Sequence, residues 1–278
     1  MAFSFNEATG SKARKTIVID ALNLAFRWKH QGRTDFRDDY VQTVKSLAQS
    51  YKCGNIIITA DWGSSTYRKG ILPEYKQNRK DKYETQTDAE KQAFIDFFDE
   101  YEGTLELLAE SFQVLRYQGV EADDLAAHLV KRKKEYNLEE IWLVSSDRDW
   151  DLLIQDGVSR FSYVTRKEVT INNWDEHYGV SPEEYISFKC LTGDKGDNVP
   201  GINGIGPKRA EGLIKDYGDA MTIYDNIPLS GSYKYIQELN ANAEVLLKNY
   251  ELMDLMTFCD DAIGQDNIED IGRKLNGS

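Results

Sequence analysis

The sequence predicts an α/β fold, a central and mostly parallel sheet flanked by helices, and three observations predict it. The runs Thr16-Ile-Val-Ile-Asp20, Asn55-Ile-Ile-Ile-Thr-Ala-Asp61 and Glu140-Ile-Trp-Leu-Val-Ser-Ser-Asp147 are short, apolar and rich in β-branched residues. Amphipathic stretches separate them, and strands covered by helices on both faces read as unbroken apolar runs. The 278 residues are 41% hydrophobic and 12% aromatic, enough for a sizeable core.

Helices are expected over 40–51, 87–112, 122–136, 150–155 and 182–191. The second opens on Thr87-Asp-Ala-Glu90, a capping box in which each end satisfies the other's backbone N–H. Phe94, Phe98, Tyr101, Leu105, Leu108 and Phe112 follow at spacings of four, three, four, three and four, an apolar stripe for core packing. Residues 161–171 read as a β-hairpin at the sheet edge, and those after Gly264 as a tail. The first residues are polar and lack the apolar stretch of a secretory signal, and no run approaches the roughly 18 apolar residues of a membrane span. Cys53, Cys190 and Cys259 are odd in number and lack zinc-binding spacings, so free thiols in a reducing cytoplasm are expected. His30, His128 and His177 have no motif around them and are assigned to packing or the surface.

The net charge of −13, from 47 acidic and 34 basic residues, argues by itself against a nucleic-acid partner. Its distribution argues the other way. Ligands of open α/β sheets sit at the carboxyl ends of strands, so Asp20, Asp61, Asp147 and Asp149 should gather along one edge. Gly119-Val-Glu121-Ala-Asp123-Asp124 opens a helix whose positive end eases the crowding of its carboxylates. Glu121 and Asp124, three apart, share a face, while Asp123 points elsewhere on the first turn. Gly193-Asp194-Lys-Gly-Asp197-Asn198 adds a Gly-rich loop with two more.

Any one of these residues can be a helix cap or a turn residue. Five such pieces in one chain point to a shared role. Nine carboxylates on one edge repel, and some take up protons unless a cation intervenes. Oxygen-only ligands suit Mg²⁺, with Mn²⁺ as a substitute, rather than Zn²⁺. Two such ions about 4 Å apart activate a water and stabilise the leaving oxygen of a phosphodiester. The chemistry implied is phosphodiester hydrolysis.

Two basic segments stand out in the acidic chain. Residues 67–82 carry Arg68, Lys69, Lys76, Arg79, Lys80 and Lys82 against Glu74 and Asp81, and Tyr67, Tyr75 and Tyr83 are interleaved. That pattern suits phosphate contacts with base stacking. In Gly201-Ile-Asn-Gly-Ile-Gly-Pro-Lys-Arg-Ala210, Gly204 and Gly206 permit a tight turn whose N–H groups can face a phosphate. Pro207 suits a first helical position, and Lys208 and Arg209 add charge.

Strand-Asp20, Gly119-Val-Glu-Ala-Asp-Asp124, Ser145-Ser-Asp-Arg-Asp-Trp-Asp151 and Gly193-Asp-Lys-Gly-Asp-Asn198 arrive in the order seen in the 5′ nuclease family. This family comprises flap endonucleases and the 5′–3′ exonuclease domain of bacterial DNA polymerase I. With Pro73-Glu-Tyr-Lys-x-Asn-Arg79, the chain most resembles the stand-alone bacteriophage flap endonucleases of the T5 type. The resemblance covers nearly all of 15–264 and implies a PIN-like, 5′–3′ exonuclease fold with a helical arch and a helix-hairpin-helix (H3TH) subdomain. The implied organisation is a polar tail over 1–14, an α/β nuclease core over 15–180 with the arch at about 63–112, the helix-hairpin-helix region and C-terminal helices over 181–264, and a tail over 265–278.

By the same resemblance, Asp20, Asp61, Glu121, Asp123 and Asp124 hold a first metal ion, and Asp147, Asp149, Asp194 and Asp197 hold or surround a second. Asp151 is either close behind them or a helix cap. Lys76 and Arg79, with Tyr75, face the scissile phosphate at the base of the arch, through which a single strand passes. Arg68, Lys69, Lys80 and Lys82 contact DNA. The hairpin, with Gly204, Gly206, Lys208 and Arg209, grips duplex and cradles K⁺. The expected enzyme is a Mg²⁺-dependent exonuclease and flap endonuclease acting on DNA with a 5′ flap or 5′ end, or on an RNA–DNA hybrid. It is expected to act as a monomer, away from membranes, in phage DNA replication in the host cytoplasm. A PIN-type ribonuclease would lack the arch and the hairpin, and a noncatalytic DNA binder would be burdened by nine carboxylates beside a phosphate. A nucleophilic-aspartate phosphatase and a dinucleotide binder each lack their motif after the first strand.

Overall fold

The computed structural model describes residues 14–276, so the polar tail expected over 1–14 lies almost wholly outside the described residues. Chain order begins with β1 (Arg14–Asp20), α1 (Ala21–Lys29), α2 (Arg37–Ser50), β2 (Asn55–Thr59), α3 (Thr66–Ile71), α4 (Gln77–Glu84) and α5 (Asp88–Ala109). It continues through β3 (Gln113–Leu115), α6 (Ala122–Lys131), β4 (Leu138–Val144), β5 (Val158–Phe161) and β6 (Glu168–Val169). These strands form one sheet in the order β3-β2-β1-β4-β5-β6, parallel except for β6.

β1 sits at the centre, with Ile19 beside Ile58 on one side and Val144 on the other. Alternation along the strands splits the core into two layers. Ile17, Ile19 and Ile58 pack with α1, α2 and α5, whereas Val18, Ile57 and Leu143 pack with α6. The chain leaves β1 toward β2 and β3 and returns on the far side as β4. Strand order therefore reverses between β1 and β4, which opens a crevice beyond their carboxyl ends.

The remaining elements are α7 (Tyr185–Thr192), a two-stranded ribbon of β7 (Gly193–Asp194) and β8 (Val199–Pro200), α8 (Pro207–Tyr217), α9 (Ala220–Asp225), α10 (Lys234–Ala241), α11 (Glu244–Met253), α12 (Leu255–Ile263) and α13 (Gln265–Asn276). α7 to α11 share a core of their own that includes Cys190, Leu191, Leu213, Ile223, Leu239 and Leu246.

Several expectations need correction. Residues 265–276 are not a tail but α13, because Ile268, Ile271 and Leu275 form a helical stripe buried in the layer that covers α6. The charged residues between them hid the stripe. α12, one of the C-terminal helices within 181–264, joins the same layer through Leu255, Cys259 and Ile263 and packs on the α/β core. The helix expected over 150–155 is a 3-10 turn, Arg148–Leu153, tightened by the Asp147 carboxylate accepting from the N–H of Asp149 at 3.0 Å. The helix expected to reach 136 ends at Lys131. In α5 the most buried aromatic is Phe97 rather than Phe98, because Phe97 stacks on Phe26 and meets Phe36. The edge hairpin is present as β5 and β6, and the three cysteines are free and buried.

Candidate metal centre and nucleic-acid interface

Backbone geometry brings the carboxylates together at the crevice. Asp20 ends β1 and caps α1, accepting the N–H of Asn23 at 3.2 Å, while Ser145, just past β4, donates to its other oxygen at 2.7 Å. Asp61 lies two residues beyond β2 and accepts the first N–H of α6, from Ala122, at 2.6 Å. Capping and clustering are thus compatible roles for one aspartate. Gly119 makes the approach possible: its φ is +74°, and a Cβ there would meet the Thr66 hydroxyl at 2.2 Å. Likewise Gly193 and Gly201 cross so closely that a Cβ on Gly193 would lie 2.2 Å from the Gly201 nitrogen. This contact sets the loop that carries Asp194 and Asp197.

The electrostatics are those of a site crowded with negative charge. Burial, and then the charge of Asp61, pushes the Asp20 carboxyl up to about 7. Burial likewise raises Asp61, and it raises Asp123 strongly, with Asp147 adding to the effect. Asp149 rises through burial and the nearby charges of Asp147 and Asp194. A cleft lined by Tyr75, Asp123, Asp149, Asp194 and Asp197 joins the two halves of the cluster.

Cations from the chain occupy part of this space. Lys76, held left-handed at φ 56° where α4 begins, places its ammonium 2.7 Å from Glu121 Oε1 and 3.5 Å from Asp197 Oδ2. Its own N–H donates to the Asp197 carbonyl at 2.9 Å. Arg79 reaches Asp197 Oδ1 at 2.5 Å, and the Tyr75 hydroxyl lies 2.9 Å from Asp197 Oδ2 and 3.1 Å from Glu121 Oε2. Burial by itself would raise Glu121, yet Lys76 and Arg68 hold it below the usual range. Buried Lys189 joins Asp149 to Asp194, and these partners keep its ammonium charged against the cost of burial.

Eight of the nine predicted carboxylates border this basin, and the ninth stands behind it. Asp124 is fully buried, and both its oxygens accept from Arg68 at 2.7 Å. The division into two ligand sets is also less clean than expected. Asp197 is tied to Glu121 through Lys76 and Tyr75, and Asp147 raises Asp20 and Asp123.

Arg68 is a correction. Expected to contact DNA, it is 4% exposed and spends its guanidinium on Asp124, on Glu121 at 3.0 Å and on the Leu252 carbonyl at 2.9 Å. It therefore locks α3 to α6 and α11. Lys69, Lys80 and Lys82 are exposed, as are Gly204, Gly206, Lys208 and Arg209 at the hairpin. Arg209 folds back on the Gly204 carbonyl at 2.5 Å, over the Tyr235 ring.

Sequence reasoning missed Lys189, which has no spacing signal in its helix. It also missed Trp150, whose indole donates to Asp123 at 2.6 Å, although that residue stands inside the Ser145–Asp151 motif. Of the two roles open to Asp151, it is not a cap but lies behind the cluster, buried against Arg160 and Tyr178, and Arg160 also bonds the carbonyl of Ser145, whose hydroxyl donates to Asp20. His128 is a packing residue, buried between Asp260 and Tyr136.

The donor set fits hard divalent cations. It is rich in carboxylate oxygen, and burial and mutual repulsion hold several of the carboxyls above their usual range, so added positive charge would relieve them. Among the described residues no three acidic, histidine or cysteine side chains already converge into a closed cage.

Fold and site together define a 5′ nuclease, and the chain belongs to the 5′–3′ exonuclease family. Residues 15–179 match the model of its N-terminal resolvase-like domain, and residues 180–272 that of its C-terminal SAM fold. The chain is 42% identical over 268 residues to the flap endonuclease of Escherichia phage T5, spanning 95% of this chain and 92% of that protein. A 5′–3′ exonuclease of Buchnera aphidicola is 31% identical over 74% of this chain and 67% of its own. Among solved structures, a complex of the bacteriophage T5 flap endonuclease with DNA and metal ions superposes with a TM-score of 0.91 at 41% identity, covering 95% and 98% of the two chains. The T5 5′-exonuclease with bound zinc ions gives 0.91 at 42%, covering 95% and 99%. No described helix is long and apolar enough to cross a membrane.

Proposed function

We propose that this protein is a structure-specific 5′ nuclease that hydrolyses DNA phosphodiesters with two divalent ions, Mg²⁺ or Mn²⁺. Its activities would be 5′–3′ exonuclease and flap endonuclease, on branched or nicked DNA. The observation that carries this is the basin at the ends of β1, β2 and β4, with Lys76 and Arg79 at its rim. Bound divalent ions supply charge that acidifies water and stabilises the leaving oxygen.

The chain's own residues do the rest. Asp20, Asp61, Asp123, Asp147 and Asp149 furnish oxygen ligands. Trp150 and Ser145 fix the orientation of Asp123 and Asp20. Lys76 and Arg79, at the rim beside Glu121 and Asp197, would stabilise charge growing on the phosphate. The exposed hairpin, with Lys208 and Arg209, suits duplex phosphates, and a K⁺ among its carbonyls would complete it. The relatives that bind DNA and metal ions support this reading. Primer and flap removal in phage replication, by a monomer in the host cytoplasm, is the finer part of the proposal.

The test is cleavage of labelled flap, nicked, single-stranded and RNA–DNA substrates in Mg²⁺ or EDTA. Flap cutting in Mg²⁺ alone is expected, and Asp123→Asn and Asp147→Asn should fold normally yet cut slower by orders of magnitude. Near-normal turnover of both variants would remove these two from the site.

A further inference from the structure

Trp62 is 49% exposed, whereas Trp28, Trp150 and Trp174 are at most 2% exposed and Trp142 is half-buried under Tyr51. An indole in water forfeits a large burial gain, so a held, exposed tryptophan calls for a partner. Trp62 is held. Its backbone N–H donates to the Val120 carbonyl at 3.3 Å, and its backbone carbonyl accepts from the Gly119 N–H at 2.7 Å. The guanidinium of Arg116 lies 5.3 Å from the ring centroid. Arg116 is itself fixed by a bidentate pair with Glu102 on α5, both bonds 2.6 Å, and by the Asp61 carbonyl at 3.2 Å. The position is telling as well: Trp62 follows Asp61 directly and is laced to the residues just ahead of Glu121. It therefore lies beside the Asp61 corner of the basin, linked through Arg116 to Glu102 on α5.

We infer that Trp62 is a stacking platform for a nucleobase of the single strand that delivers its phosphodiester to the carboxylates. This rests on the nuclease reading above and adds a positioning residue to it. Arg116 spends its charge on Glu102 and acts as a brace behind the indole, while the rest of the exposed ring surface remains for a base. Stacking reads the π-face and not base identity, so the platform tolerates any sequence. It would set how far the strand advances before a phosphate meets the basin, and so contribute to cleavage position.

The exposed indole is its own reporter. In EDTA, which prevents cutting, a 5′-flap DNA is titrated into the protein beside the same flap with abasic residues next to the junction. Binding is read by anisotropy of a label on the duplex, and Trp62 by emission and acrylamide accessibility. The base-bearing flap should quench Trp62 and shield it; the abasic flap should still bind through its phosphates and duplex but leave Trp62 accessible. In Mg²⁺, Trp62→Leu should lower kcat/KM on the base-bearing flap by about five- to a hundredfold, with Trp62→Phe close to wild type. On the abasic flap the three proteins should be alike. Equal shielding by both flaps, or an equal loss for Trp62→Leu on both, overturns the platform while leaving the nuclease intact. A wild-type protein that neither binds nor cuts any flap overturns the nuclease reading and the platform with it.

Discussion

Arg68 occupies a demanding environment for a single charged side chain. It is almost wholly buried, faces two carboxylates, and donates to a backbone carbonyl on α11. Such a group stabilises only while every partner is present, because removing one charge leaves the others buried without compensation. Arg68→Met should therefore cost about 3–5 kcal/mol in urea unfolding. The double variant Arg68→Met/Asp124→Leu should recover part of that loss, since an apolar pair replaces a broken ionic one. A double variant no more stable than the single one would mean that Glu121, and not Asp124, is the partner that matters.

Among the elements, the hairpin between α7 and α8 pairs a rigid turn with exposed charge. Gly204 adopts φ +81°, Pro207 starts α8, and Lys208 and Arg209 stand at its exposed first turn. If these two contact duplex phosphates, changing both to Ala should weaken binding alike for every sequence. The slope of log affinity against log salt should flatten by up to about 2. An unaltered slope in filter binding at several salt concentrations would move the duplex contact elsewhere. The arch differs in kind: α4 buries no residue, and α5 buries its aromatic and aliphatic side chains from Phe97 onward. The first turns of the arch are thus held by Thr87 and Glu90 and by Tyr83 against Phe94, rather than by core packing.

For the whole molecule, charge couples stability to pH and to metal. Asp20 has an ordinary value of 3.8 and reaches about 7 when folded, so between these values the folded protein holds a proton that the unfolded chain has lost. Stability from this group is thus highest near pH 4 and declines as pH rises toward 7, and Asp61 and Asp123 act in the same sense. Divalent ions should reverse the trend. Thermal melts with Mg²⁺ or Mn²⁺ against EDTA should show a larger gain at pH 8 than at pH 5, where protons compete for the oxygens. An equal gain at both values would argue that the ions bind away from the basin. The arch supplies a second test at this scale. A flap whose 5′ end carries a bulky protein block before mixing should resist cutting, whereas a block added after binding should matter little. Equal cutting in both orders would favour clamping from one side. Lys76→Ala should lower turnover more than binding.

The sequence by itself determined the strands, the acidic clusters and the order in which they arrive. Unbroken β-branched runs have few alternatives to a buried parallel strand, and each was closed by its own aspartate at Asp20, Asp61 or Asp147. It also revealed the basic run and the glycine turn, because both are local. Tertiary structure decided which charge faces which. Arg68 and Lys76 stand in one basic segment eight residues apart, yet one is sealed against Asp124 and the other reaches Glu121 at the rim of the basin. Lys189 meets Asp149 across 40 residues of chain, and α13 earns its burial only against the layer that covers α6. These pairings depend on how the sheet and its layers close in space, and no spacing along the chain encodes the distance between two side chains brought together from different elements.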